Sequence, residues 1–439
     1  DKGFKTNDLI EQFTIGNDRI MDKYLARADI IGSLAHIKML CSIGLLSEEE
    51  YKKMSFSLKE IYNTVNTDFE IEEGIEDIHS QIELLLTRKL GDIGKKIHSG
   101  RSRNDQVLVD LKIFFREQLE ELVYLTKQLF TTLINKSERY KSVLIPGYTH
   151  FQIAMPSSFG LWFAAYAESL TDDMILIKSA YDITNQNPLG SAAGYGSSFP
   201  LNRSMTTELL GFSNLNYNSI YAQMSRGKTE KVISFALSSI ASTLSKFSMD
   251  ACLFMSQNFG FISLPDDFTT GSSIMPHKKN PDVFELIRAK CNKIQALPND
   301  ITLLISNLPS GYHRDMQLLK EYIFPALFEC KNIIYITQIM VENIIINEKI
   351  LEDKKYSYIF SVEEVNKLVL SGIPFRDAYK KVAEQIINGT FKPDAQVNHT
   401  HEGSIGNLCN DKITEKMNKI INTFPFQNVK KAIDDLLTI

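Results

Sequence analysis

VLVDLKIFFREQLEELVYLTKQLFTTLI, residues 107–134, is the stretch that decides the fold. Its apolar residues recur at spacings of three and four, and no Gly or Pro occurs from Arg101 to Ile145. The spacing predicts one long amphipathic helix of about thirty residues or more. Outward from it, KTEKVISFALSSIASTLSKFSMDACLFMSQNF at 228–259 is equally free of breakers and rich in Ser and Ala, the composition of a helix buried on most sides. Further helical segments fit 157–183, 283–297 and 315–349, with Pro325 expected to kink the last. Alternating strand patterns are hard to find. Helices this long exceed the globular mean of roughly 11–12 residues, and several together predict a bundle.

The flanks read differently. Before about Gly100 the helices are shorter, and Ser47 with Glu50 forms a capping box in SEEE. After about Asp353, GIPF, NGTFKPD and HEGSIGN break the chain into short pieces. The expected fold is therefore all-α, with three mostly helical domains: an N-terminal domain over 1–101, a central long-helix bundle over 102–353 and a small C-terminal domain over 354–439.

Composition narrows the function. The 439 residues carry 48 Lys+Arg against 53 Asp+Glu, a net charge of −5, too mild for a nucleic-acid footprint. The five cysteines are far apart with no C-x-x-C pair, which suits buried thiols in a reducing cytosol better than a disulfide framework or zinc site. No run approaches the ~18–20 apolar residues of a membrane span, and the first thirty residues mix both charge signs, unlike a signal peptide. The start at Asp1 without Met reads as a trimmed terminus. A cytoplasmic protein with no nucleic-acid or membrane partner is expected. The phosphate-loop, serine-hydrolase elbow and zinc-protease motifs are missing, and GSAAGYGSS at 190–198 fails the G-x-G-x-x-G spacing. His399, His401 and Glu402 read as polar surface rather than a metal site, so no metal is expected.

Three polar clusters remain. HSGRSRNDQ, 98–106, precedes the first long helix. Ser102, Asn104 or Asp105 can each cap it, but Arg101, Arg103 and Asn104 beside helix-terminal N–H groups also make a carboxylate cradle. GYTHFQIAMP, 147–156, places Thr149, His150 and Gln152 where the next helical segment is expected to begin. GSSIMPHKKNPD, 271–282, sets a hydroxyl pair, an apolar hinge and a Lys-Lys-Asn triplet on one loop, the makings of a lid closing over an anion.

GSSIMPHKKNPD resembles the G-S-S-x-M-P-x-K-x-N signature of the fumarase and aspartase superfamily, and the other two clusters resemble its first and second conserved regions, in the right order. Within that superfamily HSGRSRNDQV, GYTHFQIAMP, EDIHSQIE at 76–83, NPLGSAAG at 187–194 and YHRDMQLLKE at 312–321 are most similar to the argininosuccinate lyase family. The likeness covers nearly the whole chain, fading toward GIPFRDAY at 372–379 and DRIM at 18–21. Two positions depart: His277 stands where that family commonly has Gln and adenylosuccinate lyases more often His, and Thr14 stands where Ser is frequent.

The resemblance implies reversible anti elimination of argininosuccinate to L-arginine and fumarate, without cofactor. It implies Ser272 as general base, Lys278 and Asn280 as stabilisers of the dianionic aci-carboxylate, and His150 paired with Glu285 as the second catalytic unit. Whether His150 donates a proton or organises water stays open. Ser102, Arg103, Asn104, His79 and Thr149 would hold the succinyl carboxylates, with Lys320 as a further cation. Thr14, Asp18, Tyr312 and Gln317 would hold the arginine end. It also implies a homotetramer with each site shared among three subunits, in line with the small residues Ser238, Ser239, Ala241, Ser242 and Ser245, which suit packing on more than one face of a helix. The rival readings are adenylosuccinate lyase on the same scaffold and a non-enzymatic lens delta-crystallin type.

Overall fold

A computed structural model describes residues 7–65, 69–271, 273–392 and 394–438. Five long helices form its centre: α1 (Arg103–Arg139), α2 (Phe159–Thr184), α3 (Ser219–Met255), α4 (Asp282–Leu304) and α5 (Leu319–Asn343). The deciding stretch lies in α1, a single helix of 37 residues opened by a capping box between Ser102 and Asp105. Its apolar stripe explains the packing, with α2 along one side and α5 along another, while α3 lies against α2, α4 and α5. Large side chains fill the seams. Trp162 of α2 stacks on Phe247 of α3 with centroids 5.2 Å apart, and Phe114 of α1 meets Phe324 of α5 at 4.5 Å. The expected all-α bundle is what the chain forms.

Helix α3 is long and apolar enough to cross a membrane by length and composition, yet over half of its most apolar window is buried against its neighbours. Its small residues are partly used inside the chain: Ser239 and Thr243 donate to Asp173 of α2 at 2.5 and 2.7 Å, Ser245 donates to Asn292 of α4, and Ala241 is buried. Ser242 remains exposed. Two breakers are absorbed, since α4 runs through Pro298 and α5 through Pro325 as single helices.

One expectation is overturned. Residues 147–156 do not begin a helix but lie in an antiparallel hairpin of β1 (Leu144–Thr149) and β2 (Gln152–Ser158), bulged between Pro146 and Tyr148. Pro146 and Pro156 each lack the amide a helix interior needs, while Tyr148 packs on Phe259 and Phe261. The helix starts only at Phe159, capped by Ser158, which accepts from the Leu161 amide at 3.0 Å. A smaller hairpin, β3 (Thr270–Gly271) with β4 (Lys279–Asn280), closes the base of the third cluster.

The apolar core is continuous from Leu25 to Leu436, with a second small cluster of Val365, Ala378 and Val382 near the C-terminus. The last two helices, Asn410–Ile421 and Phe426–Thr438, fold back so that the first meets α1 and α2 and the second meets the N-terminal helix Ala26–Ser42.

Candidate active site

At the N-terminal end of α1 a cavity of about 310 Å³ gathers seven of the residues singled out in the sequence: Asp18, His79, Arg103, Asn104, Tyr312, Gln317 and Lys320. Helix ends bring them there. Asp18 opens a short helix, Asp18–Asp22; Asp77 caps Ile78–Leu90 and so places His79 in its first turn; Tyr312 and Gln317 lie just before α5, and Lys320 in its first turn.

Lys320 is buried and shared between two carboxylates, Asp18 at 2.5 Å and Asp22. Burial drives the Asp18 carboxyl up to about 6, and Asp22 adds to this, because one ammonium cannot fully compensate two neighbouring anions. Lys320 therefore brings little net charge to a ligand.

His79 is held differently. Its Nδ1 lies 2.5 Å from Asp29 Oδ2 and 3.3 Å from Asp110 Oδ2, leaving Nε2 for a ligand. Burial alone would lower the imidazole, but the hydrogen bond to Asp29 and the charges of Asp29, Asp77 and Asp22 outweigh it and raise its pKa. Asp110 goes the other way from Asp29: burial and the Asp29 charge hold it well above the usual carboxylate range. Donor atoms of Asp29, His79 and Asp110 lie within 4.8 Å of one another, a spacing a metal ion would accept. The Arg101 charge also acts on this cluster, lowering Asp29 and Asp110.

Arg103 is exposed at the mouth, 2.8 Å from Glu76 and 3.4 Å from Asp77, and Glu76 also binds Arg314 at 2.6 Å. Ser102 and Thr14 are not among the cavity-lining residues. The Ser102 hydroxyl accepts from the Asn104 amide at 3.3 Å as the cap of α1, and the Thr14 hydroxyl donates to Ile10 of its own helix at 2.8 Å. The Thr14 carbonyl instead anchors the wall, accepting from Arg314 and Gln317, each at 3.0 Å.

Thr149, His150, Lys278, Asn280 and Glu285 lie at the other end of the bundle. Arg226 in α3 lines this cavity, whereas Asp250 and Phe254 of the same helix line a second, more apolar cavity of about 550 Å³ beneath His150. At 1.5 Å per residue the two ends are roughly 40 Å apart. Thr149 and His150 are exposed at the tip of the β1–β2 hairpin, where His150 and Phe151 have φ of 53° and 58°. Lys278 and Glu285 are also exposed, and Asn280 is half-buried in β4. No hydrogen bond or ion pair joins His150 to Glu285 within the chain among the described residues, and Ser272 lies outside the described residues. One chain thus gathers seven of the candidate residues in one cavity and leaves His150, Lys278 and Glu285 exposed on its far side.

Several groups escaped the sequence reading: Asp22, Glu76, Asp77, Arg226 and Arg314 in the wall, and Asp29 and Asp110 behind His79; Asp105 was read only as a possible cap. Asp105 is buried and accepts from the amides of Gly190 and Ala192 at 3.0 and 2.9 Å, tying NPLGSAAG to the first cluster. Burial pushes it up to about 6 against those amides. A signal for Asp110 was present, since an acid in the apolar stripe VLVDL must find a partner.

A family model described as lyase matches residues 3–296. The chain is 61% identical over 438 residues to argininosuccinate lyase of Bacteroides fragilis, spanning 100% of this chain and 98% of that protein. It is 41% identical to argininosuccinate lyase of Thermotoga neapolitana over 386 residues, 88% of this chain and 97% of that one. Among solved structures, an EDDS lyase variant with bound fumarate superposes with a TM-score of 0.78 at 21% identity, covering 100% of this chain and 95% of that chain. Class II fumarase from Schistosoma mansoni gives 0.70 at 15% identity, covering 94% and 95%, a likeness of fold.

Proposed function

The chain belongs to the argininosuccinate lyase family of the fumarase and aspartase superfamily, and from that premise we propose how its residues divide a reversible elimination of argininosuccinate to L-arginine and fumarate. It is a carbon–nitrogen lyase, and the adenylosuccinate alternative is not favoured. One observation supports the division best: a single cavity is lined by Asp18, Tyr312 and Gln317, which we read as the amino-acid end, and by His79, Arg103 and Asn104, which we read as carboxylate holders.

The chemical difficulty is the proton on a carbon next to a carboxylate, whose removal leaves a dianionic aci-carboxylate. In our reading Ser272 removes it, Lys278 and Asn280 meet the developing charge, and His150 with Glu285 serves the departing guanidinium nitrogen, with Thr149 beside it on the substrate. These groups reach the cavity from neighbouring subunits of a homotetramer, which supplies each site from three chains. The soluble cytosol is the compartment we assign, and no metal or organic cofactor takes part in this scheme.

The test is fumarate release followed by ultraviolet absorbance. Purified protein is expected to convert argininosuccinate without added metal and to consume fumarate with arginine in reverse. Turnover of adenylosuccinate with none of argininosuccinate would sink the reading.

The two walls also predict the pH profile. Asp18 must be ionised to hold an α-ammonium, so KM for arginine is expected to rise as pH falls through about 6. His79 must be protonated to donate to a carboxylate, so KM for fumarate is expected to rise as pH climbs through its raised pKa. The groups that set that upper limb are Asp29, Asp110, Asp77 and Asp22 around the ring, with Arg101, Arg103 and His98 nearby. Asp29→Asn removes the largest raising influence and should bring the upper limb to lower pH. A KM for fumarate that ignores pH in both proteins would show that His79 does not bind as a cation.

A further inference from the structure

Helix α3 is broken at one place. Arg226 has φ −63° and ψ 138° and Gly227 has φ 78° and ψ −43°, neither helical, before the helix resumes. Glycine is required there. A Cβ on Gly227 would lie 2.6 Å from Ile305 Cγ2, in a backbone region L side chains rarely adopt. The break turns the Arg226 side chain into the wall of the binding cavity, where it is 3% exposed.

Two of its three nitrogens are fixed. Nε donates to Glu230 Oε1 at 3.0 Å and Nη2 to the Met316 carbonyl at 2.8 Å, while Glu230 Oε2 accepts from the Gly227 amide at 2.6 Å. Nη1 is buried and has no partner. Arg226 lines the cavity as a guanidinium held on two sides, with its third nitrogen buried and still able to take one acceptor, which suits it to an anion.

Resting on the family reading above, we propose that Arg226 binds the α-carboxylate of the arginine end and that Asp18 and Arg226 together read the amino-acid zwitterion, making Arg226 a specificity-determining residue. Asp18 and Arg226 line the same cavity, and the Arg226 charge works to lower the Asp18 carboxyl, so the two opposite charges act on one ligand space. An α-ammonium and an α-carboxylate share one carbon, and only such a neighbouring pair matches both. Lys320 cannot take the carboxylate role, because Asp18 and Asp22 already occupy it. Arg103 is engaged at the mouth with Glu76 and Asp77.

Agmatine, arginine without its carboxylate, separates this role from a structural one. In the reverse direction, with fumarate saturating, the KM for arginine and the inhibition constant of agmatine are measured for the unaltered protein, Arg226→Lys, and Arg226→Gln combined with Glu230→Gln, which leaves no orphan carboxylate. The unaltered protein is expected to bind agmatine at least roughly ten-fold more weakly than arginine, the size of one charge-assisted contact. Each variant is expected to lose about ten- to hundred-fold in arginine KM while agmatine changes little, so that discrimination shrinks. Equal affinity of the unaltered protein for both compounds, or parallel losses for both in the variants, would overturn the assignment. No reaction of the unaltered protein with arginine and fumarate would instead refute the activity on which it rests.

Discussion

Ser272→Ala is expected to lower kcat by at least ~10²- to 10⁴-fold, the range for loss of a general acid–base group, while argininosuccinate still binds. The reason is local. A hydroxyl is a poor base unless a dry, cationic site favours its anion, and the loop that carries Ser272 also carries Lys278 and Asn280. The β3–β4 pairing of Gly271 with Lys279 and Thr270 with Asn280 ties the two ends of that loop together. Ser273→Ala should be far milder. Measuring kcat and substrate affinity for both variants decides the point: equal losses, or a Ser272 variant that keeps most of its activity, would assign the base elsewhere.

The second large effect is recovery rather than loss. Mixing an inactive His150 variant with an inactive Ser272 variant, unfolding them and reassembling them, is expected to restore up to about a quarter of the native sites if subunits combine at random. This follows from the roughly 40 Å between the binding cavity and the hairpin tip, a distance fixed by the length of α3. It also follows from the exposure of His150, Lys278 and Glu285 in one chain, which leaves them for a neighbour's cavity. Exposed apolar residues on the central helices, such as Phe235, Leu286 and Leu303, supply surface for the larger bundle. A monomer by light scattering, or confirmed hybrid tetramers with no regained activity, would refute the shared site.

Much of the bundle was legible because its helices are long enough for their period to show. The 107–134 pattern survives because nearly every apolar residue in it finds a helix partner, and even Pro298 and Pro325 failed to interrupt their helices. The hairpin was not legible. Its strands are short, carry a bulge and two prolines, and turn on His-Phe, a pair with no turn preference of its own. In the cavity, motif residues such as Asp18, His79 and Lys320 could be named from the sequence, but their partners could not. Asp22 and Glu76 come from segments about three hundred and two hundred and forty residues from Lys320 and Arg314, and no local pattern joins them. Arg226 gave a faint trace, a glycine after an arginine ahead of an otherwise unbroken helical run.

The left-handed pair at the hairpin tip bears on how this protein can be engineered. His150 and Phe151 both hold positive φ, a strain of about 1 kcal/mol or more apiece that Asn-Gly would nearly abolish. On the role proposed for His150, heat resistance and turnover pull that dipeptide in opposite directions. A library ranked only by thermal survival would drift toward Asn-Gly at 150–151 and enrich sturdy, idle proteins. Stabilisation is better sought elsewhere in the chain, with this dipeptide held fixed.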